Sequence, residues 1–253
     1  VTPLCFGGAT DFTDQTTIPA GGNINSWQWD FGDGNGDNIQ NPTHTYTNPD
    51  TYNIELTVET DNGCIDNEIQ SVNIFPLPVA DFTVNNECFY DELDFQNNSS
   101  ANASVFEWDF GDGNTANTEN PNHQYNSAGI YAVTLIVNTA DACPDTITQN
   151  VTAYAQPTAD FSIDPACLNE NNTFIDNSQI TPVDGDQIAG FSWDFDDGNT
   201  STDASPNHIY SGEGVYDVSL TVTSNYGCQD SYTSSATVWP LPEVNFDPSD
   251  ACL

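Results

Sequence analysis

The chain contains no lysine, no arginine and no methionine among its 253 residues, whereas its 38 acidic residues give a formal net charge of −38. Binding to nucleic acid is therefore all but excluded, because neutralising phosphates requires basic side chains. An anionic membrane surface is disfavoured for the same reason. Lysine-based isopeptide cross-links are impossible, and trypsin has no site at which to cleave.

Long apolar runs are also missing. No stretch of 18 apolar residues occurs, which argues against insertion into a membrane. The chain starts at Val1 without a signal peptide, so we expect a processed product or a segment of a longer protein. Hydrophobic residues still make up 37% of the sequence, which is enough for a modest core in each of several small domains.

One hexapeptide occurs three times and divides the chain. Trp-Asp-Phe-Gly-Asp-Gly stands at residues 29–34 and 108–113, and Trp-Asp-Phe-Asp-Asp-Gly at residues 193–198. Such a period indicates a tandem array of small domains. We predict repeat 1 at residues 1–76 without its first strand, repeat 2 at 77–156 and repeat 3 at 157–240. Residues 241–253 would be the first strand and first cysteine of a further repeat.

Each repeat has the pattern of an all-β domain. In repeat 2, residues 105–110 and 131–137 alternate apolar and polar side chains with the two-residue period of a half-buried strand. Short strands punctuated by turns predict a β-sandwich of the immunoglobulin type. Tyr131 and Tyr216, each two residues after a glycine, suggest a tyrosine corner. Proline-rich junctions between repeats are stiff and predict a rod.

The seven cysteines fall into two classes by their place in the repeat. Cys5, Cys88, Cys167 and Cys252 come early, and Cys64, Cys143 and Cys228 come late. Joining early to late within each repeat predicts the pairs Cys5–Cys64, Cys88–Cys143 and Cys167–Cys228, with Cys252 unpaired in this chain. Persistent disulfides indicate an oxidising compartment. A zinc site is the weaker alternative, since no Cys-x-x-Cys occurs.

The motifs resemble those of the PKD (polycystic kidney disease) domain family. Asn-Pro-x-His-x-Tyr and Gly-x-Tyr-x-Val-x-Leu-x-Val follow the hexapeptide, and the cysteine-containing variant is similar to tandem PKD repeats in large bacterial surface and secreted proteins. The resemblance implies an extracellular β-sandwich used as a spacer, stalk or accessory module without catalytic residues. Repeat 3 departs from the pattern at Asp196, which replaces a glycine, and by an insertion around residues 181–190.

These observations predict a non-catalytic structural protein at the cell surface or outside the cell. It would be a disulfide-stabilised acidic rod in a bacterial surface filament, stalk or adhesin. One alternative is a glycan-binding adhesive module that uses an exposed aromatic ring such as Trp27 or Tyr90. Another is a spacer array belonging to a secreted hydrolase.

Residues that recur in every repeat are assigned to architecture. These are Trp29, Trp108 and Trp193 of the hexapeptide and the histidines His44, His123 and His208. A catalytic histidine would need its own nucleophile or carboxylate partner in one repeat, and three identical active sites in tandem are improbable. We therefore expect the histidines to hold turns together.

The sequence also suggests a calcium site in repeat 1 and a glycosylation site in repeat 2. Asp33, Asn35 and Asp37 alternate oxygen ligands as calcium prefers, although the segment departs from the EF-hand loop; a solvated hairpin tip is the other interpretation. No other cofactor is expected. Asp145-Thr146-Ile147 fits the pattern for O-glycosylation at Thr146 in the suspected bacterial group.

The two ends of the chain suggest its partners. Residues 242–246 repeat the Pro-x-x-x-Phe segment that opens repeats 2 and 3, whereas repeat 1 has no such segment. Either the array was cut out of register, the interpretation we favour, or the terminal strand completes repeat 1 of another copy by β-strand addition. The expected partners are thus copies of the chain or flanking repeats of a longer protein.

Overall fold

The computed structural model describes residues 4–19 and 22–246, and these residues form strands, turns and loops only. The all-β prediction is confirmed. In the part of the chain that is described, no helix is long and apolar enough to cross a membrane. The predicted role of Cys252 and part of the terminal segment, residues 247–253, lie outside the described residues.

Repeat 1 places its long strands in one five-stranded sheet. The sheet has the order β1-β7-β6-β3-β4, and β2 and β5 form a separate two-stranded sheet. The core between them contains Trp29, Phe31, Tyr46, Ile54 and Ile74. The strands are β1 Leu4–Cys5, β2 Thr10–Asp11, β3 Ile24–Asp30, β4 Gly36–Asp37, β5 Thr43–His44, β6 Thr51–Thr60 and β7 Ile65–Phe75.

Repeat 2 has an opening strand followed by counterparts of β2 to β7, while the counterpart of β1 is a single bridge between Cys88 and Tyr154. Its sheets have the orders β11-β10-β13-β14 and β12-β9-β8. The strands are β8 Phe82–Val84, β9 Glu92–Asn97, β10 Ala103–Asp109, β11 Thr115–Ala116, β12 Asn122–Gln124, β13 Gly129–Thr139 and β14 Pro144–Ala153.

Repeat 3 is a sandwich of a four-stranded and a three-stranded sheet. The orders are β18-β17-β20-β21 and β15-β16-β19. Trp193, Phe174 and Tyr210 are fully buried at the centre of its core, and Phe161 of the opening strand packs on them. The strands are β15 Phe161–Asp164, β16 Asn171–Asp176, β17 Ile188–Asp194, β18 Thr200–Ser201, β19 Asn207–Ile209, β20 Gly214–Ser224 and β21 Gln229–Val238.

By spatial contact the chain divides into two compact units. One contains Val1–Thr83, Gln96–Pro121 and Val133–Gln149, and the other contains Val84–Phe95, Asn122–Ala132 and Asn150–Leu253. Repeat 2 contributes residues to both units. The repeat boundaries at 76, 156 and 240 therefore stay a prediction from the sequence.

The predicted disulfide pairs are wrong, because each bridge joins successive repeats. Cys5 is bonded to Cys143 with a Cα–Cα distance of 5.6 Å, and Cys88 to Cys228 with 5.7 Å. The predicted pairs Cys5–Cys64, Cys88–Cys143 and Cys167–Cys228 do not form. Cys64 and Cys167 are free thiols, exposed and half-buried respectively.

The geometry of the last strand explains why a repeat cannot close its own bridge. The late cysteine Cys64 directly precedes β7, whereas the early cysteine Cys5 pairs with Phe75 at the other end of that strand. Eleven extended residues separate these ends by on the order of 30 Å, and a disulfide tolerates a Cα–Cα distance of only about 4.4–6.8 Å. Cys88 and Cys167 lie in the same way beside Tyr154 and Trp239, just beyond the ends of β14 and β21.

Candidate functional site

The candidate site is the junction between successive repeats, which is where the disulfides lie. Each bridge falls within one compact unit, Cys5–Cys143 in the first and Cys88–Cys228 in the second. Bridged late cysteines are fully buried, with Cys143 0% and Cys228 1% exposed. The same position in repeat 1, Cys64, is exposed. The late cysteine is therefore buried where it forms a disulfide and exposed where it does not.

A carboxylate two residues after the late cysteine anchors the start of each repeat. The backbone N–H of Ala80 donates to Asp145 Oδ2 at 2.8 Å, and that of Ala159 donates to Asp230 Oδ2 at 2.8 Å. Both acceptors follow a Cys-x-Asp pattern that recurs at Asp66. The recurrence of Cys-x-Asp is visible in the sequence, but the backbone N–H that each carboxylate binds is determined by the fold.

The junction in the second unit has additional contacts. Tyr154, at the end of repeat 2, stacks on Tyr226 of repeat 3 with ring centroids 3.8 Å apart. The buried Asp186 of the insertion accepts hydrogen bonds from the backbone N–H groups of Ala155 at 2.8 Å and Val183 at 3.2 Å. The insertion at residues 181–190 thus binds the linker between the repeats. An open groove of about 520 Å³ beside the junction is lined by Phe89, Gln156 and Ile180 among others.

The hexapeptide builds the turn at the heart of each sandwich. The indole N–H groups of Trp29, Trp108 and Trp193 donate to backbone oxygens ten residues further on. In every repeat the first aspartate of the motif accepts a hydrogen bond from the backbone N–H two residues later. In each repeat the motif thus supplies hydrogen bonds that hold the turn.

Asp196 of repeat 3 keeps this turn although it replaces a glycine. Gly32 at the same place in repeat 1 has φ +75°, and a Cβ there would lie 2.5 Å from the backbone oxygen of Asn53. Asp196 adopts the same left-handed conformation with φ 63°. Its Oδ2 accepts a hydrogen bond from the Asp217 N–H at 3.0 Å, which offsets part of the strain.

The histidines are held inside the turn by stacking and by a carboxylate. His208 stacks on Phe195 with ring centroids 4.2 Å apart, and its Nε2 lies 2.7 Å from Asp197 Oδ2. His44 repeats this arrangement with Asp33 at 2.8 Å. His123 packs edge-on against Tyr125 at 4.6 Å. A histidine held by such contacts stabilises the turn.

The tyrosines that follow the turn are also shared by all repeats. The hydroxyls of Tyr52, Tyr131 and Tyr216 each donate to the backbone oxygen four residues upstream, at 2.8–2.9 Å. Repeat 1 forms this bond although Asp50 stands where the others have glycine. Burial, followed by the charge of Asp33, raises the pKa of the neighbouring Tyr46 to about 12. The Tyr46 phenol therefore remains a protonated donor at physiological pH, and it donates to the backbone oxygen of Phe31.

The residues of the predicted calcium site are used by the turn itself. Asp33 Oδ1 accepts from the Asn35 N–H at 3.0 Å, and its Oδ2 faces His44. Asp37 Oδ1 accepts from the backbone N–H groups of Asn38 and Ile39. Over residues 4–19 and 22–246 no group of three or more His, Cys, Asp or Glu side chains could hold a metal ion. These carboxylates are thus engaged in hydrogen bonds of the turn, and calcium binding at Asp33, Asn35 and Asp37 stays a prediction.

The remaining candidate residues lie on separate surfaces. Thr146 is exposed on β14, so its hydroxyl is accessible for the predicted glycosylation. Trp27 is half-buried and donates its indole N–H to Asp14 Oδ2 at 2.7 Å, which gives it a packing role. Tyr90 is exposed and contacts the ring of Phe89.

Acid titration should reveal the His–Asp pairs. Burial raises the pKa of Asp197, but the hydrogen bonds from His208 and Asn199 outweigh it and the net pKa lies below its usual value. A lowered pKa stabilises the folded state above about pH 4, and this contribution is lost as the pH falls through the lowered value. We expect His208→Asn to move the acid-unfolding midpoint, followed by circular dichroism, to higher pH.

A matched variant separates this effect from a general change in charge. Glu213 is exposed and precedes β20, so Glu213→Gln removes one acid without breaking a His–Asp pair. Its acid-unfolding midpoint should stay at the wild-type pH or fall slightly. An unchanged midpoint in His208→Asn would show that the pair does not stabilise the turn.

Comparison with known proteins agrees with the motifs. A family model described as "PKD domain" matches residues 2–75, 77–153 and 154–239. Collagenase ColA of Bacillus cereus is 33% identical over 78 residues, which are 31% of this chain and 8% of the collagenase. The pre-pro-metalloprotease PrtV of Vibrio cholerae is 42% identical over 62 residues, which are 24% of this chain and 7% of the protease. The chain thus spans less than a tenth of either relative.

A solved domain of the second relative is also similar to the chain. The crystal structure of the PKD1 domain from Vibrio cholerae metalloprotease PrtV is 31% identical, with a TM-score of 0.30. The match covers 33% of this chain and 98% of that domain, which is the extent of one repeat.

Proposed function

Because the chain belongs to the PKD domain family, we propose that it is a non-catalytic extracellular structural protein of a bacterial surface. In this role it is an acidic, disulfide-stabilised rod within a filament, stalk or adhesin. The observation that carries the proposal is the pattern of the bridges. Each disulfide ties one repeat to the next instead of closing a single repeat. A covalent tie across each junction resists bending and separation of neighbouring domains.

The contacts of the polar residues support the absence of catalysis. The His–Asp pairs recur at the same turn in repeats 1 and 3, stacked on a phenylalanine. The collagenase and the metalloprotease are much longer than this chain, and the matches cover 8% and 7% of their lengths. The segments that match this chain are thus small parts of these two enzymes, and the names of the enzymes refer to the activity of the whole proteins.

The charge of the chain suits a surface outside the cell. A net charge of −38 without any basic side chain makes neighbouring copies repel one another. The repulsion is screened beyond about 8 Å at physiological ionic strength. Copies therefore stay apart laterally in dilute salt, while successive repeats within a chain are joined by the disulfides.

The similarity to a collagenase and a metalloprotease favours a second candidate, a spacer array of a secreted hydrolase. In that role the repeats would hold a catalytic domain away from the cell or against its substrate. Glycan binding through Tyr90 is the third candidate, since its ring is exposed. The spacer role predicts a longer precursor that carries a catalytic domain, and glycan binding predicts retention of the chain on a polysaccharide.

Small-angle scattering and electron microscopy of the purified chain test the proposal. We expect elongated particles with three domains in line, no hydrolysis of collagen or casein, and no retention on polysaccharide columns. Compact particles, or hydrolysis by the chain alone, would contradict the structural role. Retention on a polysaccharide that is lost in Tyr90→Ala would favour the adhesive module.

A further inference from the structure

The free thiols of Cys64 and Cys167 occupy complementary positions in the repeat. Cys167 is an early cysteine, and the early cysteines Cys5 and Cys88 are both bonded to the late cysteine of the following repeat. Cys64 is a late cysteine, and its counterparts are bonded to the early cysteine of the preceding repeat. Cys167 therefore has the position that bonds forward, and Cys64 the position that bonds backward.

The tail segment, defined as residues 242–246, repeats a motif that is buried elsewhere in the chain. It has the Pro-x-x-x-Phe pattern that opens repeats 2 and 3. Phe82 and Phe161 of those openings are 1% and 6% exposed, whereas Phe246 of the tail segment is 82% exposed. Val244 stands at the position of Ala80 and is exposed as well. The tail segment thus presents an apolar face that nothing covers among the described residues.

In repeat 1, one edge of strand β2 has no strand paired with it among the described residues. Strand β16 of repeat 3 lies between β19 and the opening strand β15, whereas β2 at the same place in repeat 1 pairs only with β5 within the described part of the chain. Phe12 on this side is half-buried, whereas its counterpart Phe174 is fully buried. Asp66, the counterpart of the carboxylates that anchor the opening segments, is exposed.

An exposed aromatic ring beside Cys167 extends the same junction. Trp239 pairs with Cys167 as Tyr154 pairs with Cys88. Tyr154 stacks on Tyr226 of the next repeat, whereas Trp239 is 56% exposed. The end of repeat 3 thus carries a free thiol, a free ring and a free strand, and each has a bonded counterpart at the junction inside the chain.

We propose that the tail segment of one copy adds as a strand to the open edge of β2 in a second copy. Cys167 of the first copy and Cys64 of the second then form a disulfide in the register of the two bridges inside the chain. The inference rests on the proposed structural role, since it specifies how copies join. The occupant is a second copy because one chain carries both halves of the junction, and its own two bridges supply the pattern.

The chemistry is a thiol–disulfide exchange with a small-molecule disulfide as the oxidant. The thiolate of Cys64 attacks the small disulfide and releases one thiol, and the thiolate of Cys167 then attacks the mixed disulfide and releases the second. One sulfur–sulfur bond breaks and one forms, and the two protons of the cysteines remain on the two released thiols. A neutral reagent such as hydroxyethyl disulfide suits a chain with a net charge of −38.

The test uses the full chain with Cys252→Ser, so that only the described thiols react. Incubated with hydroxyethyl disulfide in 0.5 M salt, which shortens the screening length to a few ångströms (about 4 Å), this chain should give a ladder of covalent oligomers on a non-reducing gel. Adding Cys64→Ser or Cys167→Ser should leave monomers. Mixing these two variants should give dimers and nothing larger, because one Cys167 and one Cys64 remain. Digestion with a glutamate-specific protease should yield a peptide that links Cys64 to Cys167.

Strand addition is tested separately from the thiols. Phe246→Ser should slow formation of the dimer in the mixture by about tenfold or more, because the side chain that becomes buried is lost. Wild-type thermal stability of the Phe246→Ser monomer would show that the fold is intact.

Two results would overturn the proposal: a mixture that stays monomeric, or linkage of Cys64 to Cys64. If the monomers in that case are elongated, the proposed structural role still holds and only the proposed junction between copies is rejected.

Discussion

Reduction of the disulfides should lower the melting temperature of the chain by about 10 °C. The two bridges close loops with sequence separations of 138 and 140 residues. In the chain-entropy model, a loop of this length stabilises the folded state by roughly 5 kcal/mol. A shift of about 2–4 °C per kcal/mol is usual for a protein of this size, and independent unfolding of single repeats reduces the full effect. Calorimetry with and without a phosphine reductant measures it.

Matched cysteine variants show which bridge is responsible. The double variant Cys5→Ser/Cys143→Ser should reproduce part of the loss, whereas Cys64→Ser should melt like the wild type because Cys64 is free and exposed. EDTA alone should have a smaller effect than reductant plus EDTA. A reduced chain that melted like the oxidised one would mean that these bridges do not stabilise the array.

Replacing one phenylalanine of the repeated opening motif should be severe, and replacing its copy should be harmless. Phe161 is 6% exposed and contacts Trp193 edge-on at 4.9 Å, whereas Phe246 is 82% exposed. Phe161→Ala removes a buried ring and leaves a cavity, which costs about 3–5 kcal/mol. Phe246→Ala should change the free energy of unfolding of the monomer by less than about 0.5 kcal/mol.

Urea unfolding of the two variants provides the measurement. The transition that reports on repeat 3 should move to lower denaturant in Phe161→Ala, and every transition should coincide with wild type in Phe246→Ala. Both experiments belong at protein concentrations where the chain is monomeric. Equal effects of the two substitutions would show that the tail segment is packed in the monomer, which would contradict the exposure of Phe246.

Much of the fold follows from short patterns in the sequence. The two-residue alternation of residues 131–137 predicts the long strand that is observed as β13. The recurrence of Trp29, Trp108 and Trp193 predicts three copies of one domain. In the structure each indole N–H makes the same backbone hydrogen bond. Asp196 shows the limit of such patterns. Its left-handed turn depends on a hydrogen bond to Asp217, which lies 21 residues away in the chain.

The junctions could not be predicted in the same way. Counting cysteines per repeat favoured Cys5–Cys64, since each repeat holds one early and one late cysteine. The deciding fact is three-dimensional, because β7 places these two residues at its opposite ends. The predicted length of the last strand already argues against the pair Cys5–Cys64. Ten or eleven extended residues span several times the Cα–Cα distance that a disulfide allows. The anchoring role of Asp145 and Asp230 likewise depends on which backbone N–H groups arrive from the linker.

The loops closed by the two bridges overlap between residues 88 and 143. A single break of the polypeptide at any position between Cys5 and Cys228 therefore lies inside at least one covalent ring. The fragments would remain tethered after such a nick, and only a second event, either reduction or another cut, could release them. Under attack by proteases that cleave after acidic residues, the chain would in this way stay in one piece after a cut that would separate domains without disulfides.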